Sequence, residues 1–194
     1  MLNGLNNYRV ILASKSPRRQ ELLKIITDEF EVIPADVDES NLNLSPDNTV
    51  IELSKRKATA LSLSKNSIII GSDTVVSIDN IILGKPHNAA EAKEMLLRLS
   101  NRTHFVFTGV TVLNTSKNRM YTGYEKTSVI FDKMTNDVID EYIKSGEPFD
   151  KAGAYGIQGA ASKYIKGISG CYFNVVGLPI HLTYNLLLKA LANN

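Results

Sequence analysis

Residues 8–23 limit the fold most strongly, because they predict a strand that is followed at once by a polar turn and a helix. The segment 8–12 is short, apolar and β-branched, as is typical of a buried strand. Ser16 is a favourable N-cap, and Pro17 suits the first helical position, where its missing N–H costs nothing. Apolar residues within 22–26 then follow at helical spacing.

Polar side chains gather at this turn. They are Ser14, Ser16, Arg18 and Arg19. Hydroxyls, guanidinium groups and the N–H groups of a helix N-terminus together favour an anion, and phosphate is the expected one. Two arginines in a first helical turn are also common on a solvated face, and they oppose the helix dipole there. The residues alone leave both interpretations open.

The composition fits a globular protein rather than a nucleic-acid or membrane protein. The chain has 194 residues, of which 43% are hydrophobic and 22% charged, enough for one core or two small lobes. A net charge of +2 argues against a general nucleic-acid coat. No segment approaches the ~20 apolar residues of a membrane span. Cys171 is the only cysteine, so an intramolecular disulfide is excluded, and we expect a cytoplasmic location.

Strands and helices are predicted along the whole chain, without a linker or an internal repeat. Strands are expected at 30–34, 67–71, 75–78, 81–83, 103–114 and 120–131, followed by a hairpin of 164–168 with 171–176. Helices are expected from 46 to about Ser64 and at 89–99, 137–144 and 179–191. Cys171 is then a strand residue rather than a nucleophile. The scattered histidines form no zinc pattern, and neither a Walker P-loop nor a dinucleotide fingerprint is present.

Lys57 lies on the apolar stripe of the second predicted helix, four residues after Leu53 and four before Leu61. A lysine on an inward face needs a partner. It can extend along the rim of the core with its charge in water, or it can point into a cleft that holds phosphate.

Asp73 and Thr74 interrupt the most apolar segment of the chain. If Asp79-Asn80 forms a two-residue turn, Ile78 pairs with Ile81 and Thr74 pairs with Lys85. Lys85 then lies beside a carboxylate within an apolar strand. This arrangement predicts either a functional site or a structural ion pair.

The segment 150–159 contains three glycines at a spacing of three, which allows close approach of the backbone to a ligand. Within it, Tyr155 offers a face for stacking on a base. Gln158 offers an adjacent donor and acceptor, which complement the N3–H and carbonyl of uracil or thymine. A packed aromatic and a solvated amide are the alternatives.

Five segments in this order resemble the Maf family of nucleoside triphosphate pyrophosphatases, and the resemblance covers nearly the whole chain. The segments are 12–23, 53–58, 71–74, 83–86 and 150–159. The last of them resembles the branch of the family that acts on dTTP and UTP. Lys15 departs from the family pattern, in which a small or neutral residue is frequent at that position.

The resemblance implies a mixed α/β (α+β) fold in a single domain over 1–194, elongated and two-lobed, with a mixed β-sheet, flanking helices and a central cleft. It also implies hydrolysis between the α- and β-phosphates, and a possible homodimer. Asp73 would be the proton acceptor, and Arg18, Thr74 and Gln158 would determine substrate specificity. Phosphate-binding positions match Ser14, Ser16, Arg19, Lys57 and Lys85.

A divalent cation is the expected cofactor, with Asp73 and Glu39 as its ligands; Mg²⁺ is the first choice, and Mn²⁺ and Co²⁺ are alternatives. The expected partners are pyrimidine nucleoside triphosphates, without a membrane or a specific nucleic acid. Two other functions remain open at this point. One is a nucleotide- or nucleic-acid-binding regulator of septum formation without significant catalysis, and the other is a phosphatase that releases orthophosphate.

Overall fold

The computed structural model describes residues 2–39, 42–62 and 65–192. The strands are β1 (Arg9–Leu12), β2 (Glu31–Val32), β3 (Ser67–Ile78), β4 (Ile81–Leu83), β5 (Thr103–Asn114), β6 (Arg119–Phe131) and β7 (Ile165–Ser169). The helices are α1 (Pro17–Leu23), α2 (Pro46–Thr59), α3 (Ala89–Leu99), α4 (Asn136–Lys144), α5 (Tyr172–Val176) and α6 (Ile180–Leu191). Short 3₁₀ segments occur at Leu5–Asn7, Glu147–Asp150, Ala152–Ala154 and Ala160–Tyr164.

The strands form one mixed sheet in the order β2-β1-β3-β5-β6-β7, and β4 pairs with β3. β1 runs parallel to both β2 and β3, whereas the other pairings are antiparallel. Helices flank this sheet, as the mixed α/β prediction requires. In the part of the chain that the structure describes, no helix is long and apolar enough to cross a membrane.

Two apolar clusters lie along the same face of β3. Ile68 and Ile70 belong to one cluster, which includes side chains of α1 and α6. Val76 and Ile78 belong to the other, which includes side chains of α3 and α4. Between Ile70 and Val76, the side chains of β3 that point to this face are those of Ser72 and Thr74. A polar gap therefore separates the two clusters.

On the opposite face of the sheet, α2 lies directly against two glycines. A Cβ on Gly71 would collide with the carbonyl oxygen of Ser54, and one on Gly109 would collide with that of Val50. Only glycine allows the helix backbone to approach the strands this closely. The buried side of α2, which carries Lys57, is therefore held against the middle of β3.

Several local predictions are confirmed. Ile78 pairs with Ile81 across the Asp79-Asn80 turn. At the start of α3, the Asn88 side chain accepts a hydrogen bond from the backbone N–H of Glu91 at 2.9 Å. The expected strand 103–114 is present with the same ends.

The predicted strand 171–176 is wrong, because residues 172–176 form α5. A short apolar run does not distinguish a strand from a buried helical turn by its period. Here tertiary contacts decide, since the buried Asn174 amide donates to Val106 O at 3.0 Å and to Thr127 Oγ1 at 2.8 Å. Cys171 precedes α5, and its backbone N–H and C=O both bond the Thr127 hydroxyl.

Some element boundaries also differ from the predictions. β2 is limited to Glu31–Val32, and β3 is one continuous strand where two were expected. α1 ends at Leu23, which leaves Ile25 exposed beyond it. α2 ends at Thr59, and its expected end at Ser64 falls outside the described residues.

Candidate functional site

A cavity of about 1070 Å³ opens at the polar gap in β3. Within the described ranges, β1 pairs with β3 only as far as Ile70, and β4 pairs with it only from Val76 onward. Because β5 occupies the other edge of β3, residues between these positions have no strand partner on the cavity side. The free strand edge gives polar side chains access to backbone and side-chain groups in the middle of the sheet.

Arg19 fills this break in the sheet and makes four hydrogen bonds, all to neutral oxygens. The acceptors are Gly177 O at 2.9 Å, Ser72 O at 2.9 Å, Thr74 Oγ1 at 3.0 Å and Ser14 Oγ at 3.1 Å. Burial lowers the pKa of the guanidinium, despite the attraction of Asp73. Because none of these acceptors is charged, an anion beside the partly buried guanidinium would be favourable.

Thr74 contributes to the position of Arg19. Its hydroxyl accepts from Arg19 Nη2 and shares a 2.9 Å hydrogen bond with Thr108 Oγ1. Thr108 in turn donates to Asn174 O at 3.0 Å. Since that bond uses the single hydroxyl proton of Thr108, the proton of Thr74 points toward Thr108. Thr74 therefore offers the arginine an acceptor and connects α1, β3 and α5.

Ser14 and Ser16 both line the cavity. Ser14 Oγ accepts from Arg19 and from the Ser16 backbone N–H, which leaves its own proton available for a ligand. Ser16 holds the predicted N-cap position, but its side chain makes no capping hydrogen bond to α1. Lys15, the departure from the family pattern, is exposed at the same cavity.

Lys57 connects two carboxylates. Its Nζ lies 2.6 Å from Asp73 Oδ1 and 2.7 Å from Glu39 Oε1. The side chains of Lys57 and Asp73 are only 11% and 10% exposed, whereas Glu39 is 56% exposed at the cavity. Partial burial raises the pKa of Glu39, but Lys57, Lys85 and Arg19 together outweigh it and lower that pKa below its usual range. The structure thus contains the ion pair, and Lys57 also lines the cleft.

Lys85 lies two residues after the end of β4 and lines the same cavity. The β3–β4 ladder ends at the pair Val76–Leu83, so the predicted pairing of Thr74 with Lys85 does not occur. Both side chains nevertheless line the cavity. Within the described residues, Lys85 makes no ion pair.

Arg18 has a different partner from its neighbour. Its Nη1 donates to Asp150 Oδ2 at 3.2 Å, and Asp150 Oδ1 also contacts Lys151 Nζ at 2.6 Å. Burial raises the pKa of Asp150, but these two cations outweigh it and lower the pKa overall. Asp150 and Lys151 belong to a segment that the sequence analysis singled out, yet their role as partners was not predicted. The feature that could have indicated this role is the presence of two charged residues next to the spaced glycines of the segment 150–159.

The segment that carries Gln158 packs, through Ala154 and Tyr155, against the apolar cluster that contains Val76 and Ile78. Gln158 is exposed and lines the cavity, as a base-reading residue requires. Tyr155 is only 5% exposed, and its ring packs edge-to-face against His104 and Phe131. Its hydroxyl lies 2.7 Å from His104 Nε2. Tyr155 lines the cavity, but its ring is packed and almost fully buried, so the face that the sequence offered for stacking is not open in this structure.

A divalent cation fits the carboxylates at Lys57. Among the described residues, no three His, Cys, Asp or Glu side chains form a metal-binding group. Mg²⁺, however, is commonly held by one or two carboxylates together with substrate phosphates. Asp73 and Glu39 already share one cation in the form of the Lys57 ammonium. This donor set suits a metal that is bound jointly by the protein and a phosphorylated ligand.

The sequence is similar to known proteins over nearly its whole length. The model of the family described as "Maf-like protein" matches residues 9–190. A "dTTP/UTP pyrophosphatase" from Carboxydothermus hydrogenoformans is 48% identical over 92% of this chain and 97% of its own. One from Clostridium acetobutylicum is 46% identical over 93% of this chain and 96% of its own.

Among solved structures, a HAM1 protein from Coxiella burnetii superposes on 66% of this chain and 74% of its own. The TM-score is 0.49 and the identity 15%, a likeness too distant to bear on function. The family match and the identity to the two pyrophosphatases are decisive. The chain belongs to the family of Maf-like proteins.

Proposed function

We propose that this protein hydrolyses dTTP and UTP between the α- and β-phosphates, releasing a nucleoside monophosphate and pyrophosphate. Relatives with 42–48% identity over most of the chain are named dTTP/UTP pyrophosphatases. The observation that carries the proposal is the Asp73 carboxylate, whose Oδ1 lies 2.6 Å from Lys57 Nζ. Lys57 lines the cleft together with Arg19 and Lys85, and Asp73, which is 10% exposed, adjoins the cleft through this contact. A site that only bound phosphate would gain nothing from that carboxylate.

The triphosphate is assigned to the cationic side of the cavity. Arg19 offers a desolvated positive charge, Ser14 a free hydroxyl proton, and Lys85 an ammonium without an ion pair in the described residues. Ser16 and Lys57 line the same cavity. Positive groups that are already in place stabilise the charge that develops on the departing pyrophosphate, an effect typically worth several kcal/mol.

Asp73 is assigned the role of accepting the proton of the attacking water. A general base must lie within hydrogen-bond reach of the proton that it removes. Asp73 Oδ1 accepts a hydrogen bond from Lys57, whereas Oδ2 accepts none from a side chain among the described residues. No covalent intermediate is proposed, because the cleft presents no activated nucleophile.

Asp73 and Glu39 are proposed to hold the divalent cation, with Mg²⁺ as the first choice and Mn²⁺ or Co²⁺ as alternatives. The cation would supply charge neutralisation and orientation of the phosphates. Glu39 is suited to this role because it is half-exposed at the cavity and its pKa is lowered, which keeps it ionised.

Gln158 is proposed to recognise the base. Arg18 and Thr74 are proposed as the other two specificity residues, and both line the same cavity. Gln158 can donate to a carbonyl and accept from the N3–H of uracil or thymine at the same time. Cytosine lacks that N3–H, so the pairing distinguishes the two bases. Arg18 contacts the segment that carries Gln158 through Asp150.

The test is to incubate the protein with UTP, dTTP, CTP or 7-methyl-GTP and Mg²⁺, and to identify the products. Nucleoside monophosphate with pyrophosphate, formed preferentially from UTP and dTTP, supports the proposal. Orthophosphate with a nucleoside diphosphate would indicate a phosphatase, and binding without turnover would indicate a non-catalytic regulator. The homodimer and the cytoplasmic location that the sequence suggested stay predictions.

A further inference from the structure

One ammonium group occupies the position that the proposed cation would need. Lys57 Nζ is within 2.7 Å of both Asp73 Oδ1 and Glu39 Oε1. A divalent cation bound by the same oxygens would meet a positive charge at contact distance, and this repulsion is unfavourable at a site that is only 10–11% exposed on the Lys57 and Asp73 side chains. The ammonium and the cation therefore compete for the two carboxylates.

The backbone of Lys57 cannot move away to relieve this competition. α2 is packed against β3 at Gly71 and against β5 at Gly109, with no space for a Cβ at either glycine. Only the four-carbon side chain of Lys57 can turn. Since it lines the cavity that also contains Ser14, Arg19 and Lys85, it can turn toward a phosphate group in that space.

We propose that Lys57 is an exchangeable counter-ion. In the ligand-free protein it neutralises Asp73 and Glu39, and it turns to the nucleotide phosphates when a divalent cation takes its place. The inference rests on the proposed metal and nucleotide site. It implies that the two ligands favour each other's binding, because each one stabilises the same rotation of Lys57, and such coupling is reciprocal.

Arg18, Arg19 and Lys85 cannot take this role. Arg19 is fixed by four neutral oxygens, and Arg18 is paired with Asp150. Lys85 lines the cavity but contacts neither of the two carboxylates within salt-bridge distance. Lys85 is therefore a matched control for the removal of a lysine charge near the site.

The test measures Mn²⁺ binding to the nucleotide-free protein at one fixed pH, by calorimetry and by the electron paramagnetic resonance signal of free Mn²⁺. Lys57→Met removes the competing ammonium and keeps most of the side-chain volume. We expect this variant to bind Mn²⁺ on the order of tenfold more tightly than the wild type, within the usual range of coupling between sites. Lys85→Met should change the affinity much less, because it removes only a charge at a distance.

A double variant locates the effect. Adding Glu39→Gln to Lys57→Met should remove the gain in affinity, since it takes away one of the two ligands. Lys57→Gln serves as a second replacement if the methionine variant is poorly folded, as judged by circular dichroism. Equal or weaker Mn²⁺ binding in a folded Lys57 variant, or an equal gain in Lys85→Met, would overturn the proposal. These outcomes do not depend on turnover, so they are distinguishable from a failure of the product assay.

Discussion

Arg18 and Asp150 form an ion pair in the lining of the cleft, with Arg18 Nη1 3.2 Å from Asp150 Oδ2. Arg18 belongs to α1, whereas Asp150 ends the 3₁₀ segment that follows α4. The two side chains are 35% and 64% exposed, so the pair contributes little to stability. The ion pair matters for binding instead, because the Asp150 carboxylate holds Arg18, a predicted specificity residue, at the cleft.

Replacement of Asp150 tests this competition. Asp150→Asn frees Arg18 and removes a negative charge from the cavity, so we expect KM for UTP to fall about two- to fivefold, as the modest energy of an exposed ion pair allows. Steady-state kinetics measure the change. Asp132→Asn is the control, because Asp132 makes a comparable surface pair with Lys166 and does not line the cavity. An unchanged or higher KM in Asp150→Asn contradicts the competition.

Asp73→Asn tests the proposed base. We expect kcat to fall on the order of a thousandfold, because an amide cannot accept the proton of the attacking water. The fold should persist, since Lys57 retains Glu39 as a partner. Asp79→Asn is a matched control just beyond the end of the same strand, where the carboxylate forms an ion pair with the exposed Arg102. Near-normal kcat in a folded Asp73→Asn protein would remove Asp73 from the role.

Charges in apolar patterns made much of the site predictable from the sequence. Lys57 on a helical apolar stripe and Asp73 within an apolar strand both break the binary pattern, and such breaks are costly unless the charge has a partner. The structure shows that each is the other's partner. The pattern could locate both residues, but it could not decide between a structural ion pair and a cleft residue, and Lys57 is both.

Contacts between distant parts of the chain limit what a local pattern can predict. Arg18 and Arg19 are adjacent and chemically identical, yet Arg19 bonds Gly177 O, 158 residues away, whereas Arg18 pairs with Asp150. The burial of Tyr155 depends likewise on His104, 51 residues earlier in the chain. Local spacing contains no information about such partners, and α5 was mistaken for a strand for the same reason.

The close packing of α2 on β3 should be sensitive to a single methyl group. Gly71→Ala places a Cβ against the carbonyl oxygen of Ser54, so the helix must move or the strand must bend. We expect a loss of about 1–3 kcal/mol in the free energy of unfolding. Turnover should fall as well, because Lys57 would be displaced from Asp73. Urea denaturation and kinetics of the same protein measure both effects.

Gly167→Ala is the control for this substitution. Gly167 also lies in a strand, but no atom stands within 4 Å of the position that its Cβ would take. Gly167→Ala should therefore change the free energy of unfolding by much less than Gly71→Ala. Equal losses in the two variants would mean that helix contact at Gly71 is not the cause.

Gln158→Ala tests the reading of the base. We expect the ratio of kcat/KM between UTP and CTP to fall more than kcat for UTP itself, because the amide distinguishes the N3–H of uracil from the unprotonated N3 of cytosine. Because Gln158 is exposed, its replacement should leave the free energy of unfolding nearly unchanged. Steady-state kinetics with both nucleotides measure the ratio, and an unchanged ratio would exclude the amide as a reader.

His104 should make stability depend on pH. Burial lowers its pKa from 6.5 to about 4, and its nearest titratable partner is Tyr155, whose pKa burial raises, so that the phenol stays neutral in acid. Between pH 6.5 and about 4, the imidazole of His104 binds a proton in the unfolded chain but stays neutral in the folded protein. The stability that the neutral imidazole contributes is therefore complete above pH 6.5 and is lost as the pH falls. The loss by pH 4 is on the order of 3 kcal/mol.

A variant without the imidazole isolates this contribution from that of the carboxylates, which titrate in the same range in both proteins. His104→Gln keeps a hydrogen-bonding group for the Tyr155 hydroxyl and removes the titration. Urea denaturation at several pH values between 4 and 7 gives the free energy of unfolding of each protein. We expect the wild type to lose more stability than the variant as the pH falls. Parallel curves would show that His104 is protonated equally easily in the folded and unfolded states, which contradicts its burial as the cause.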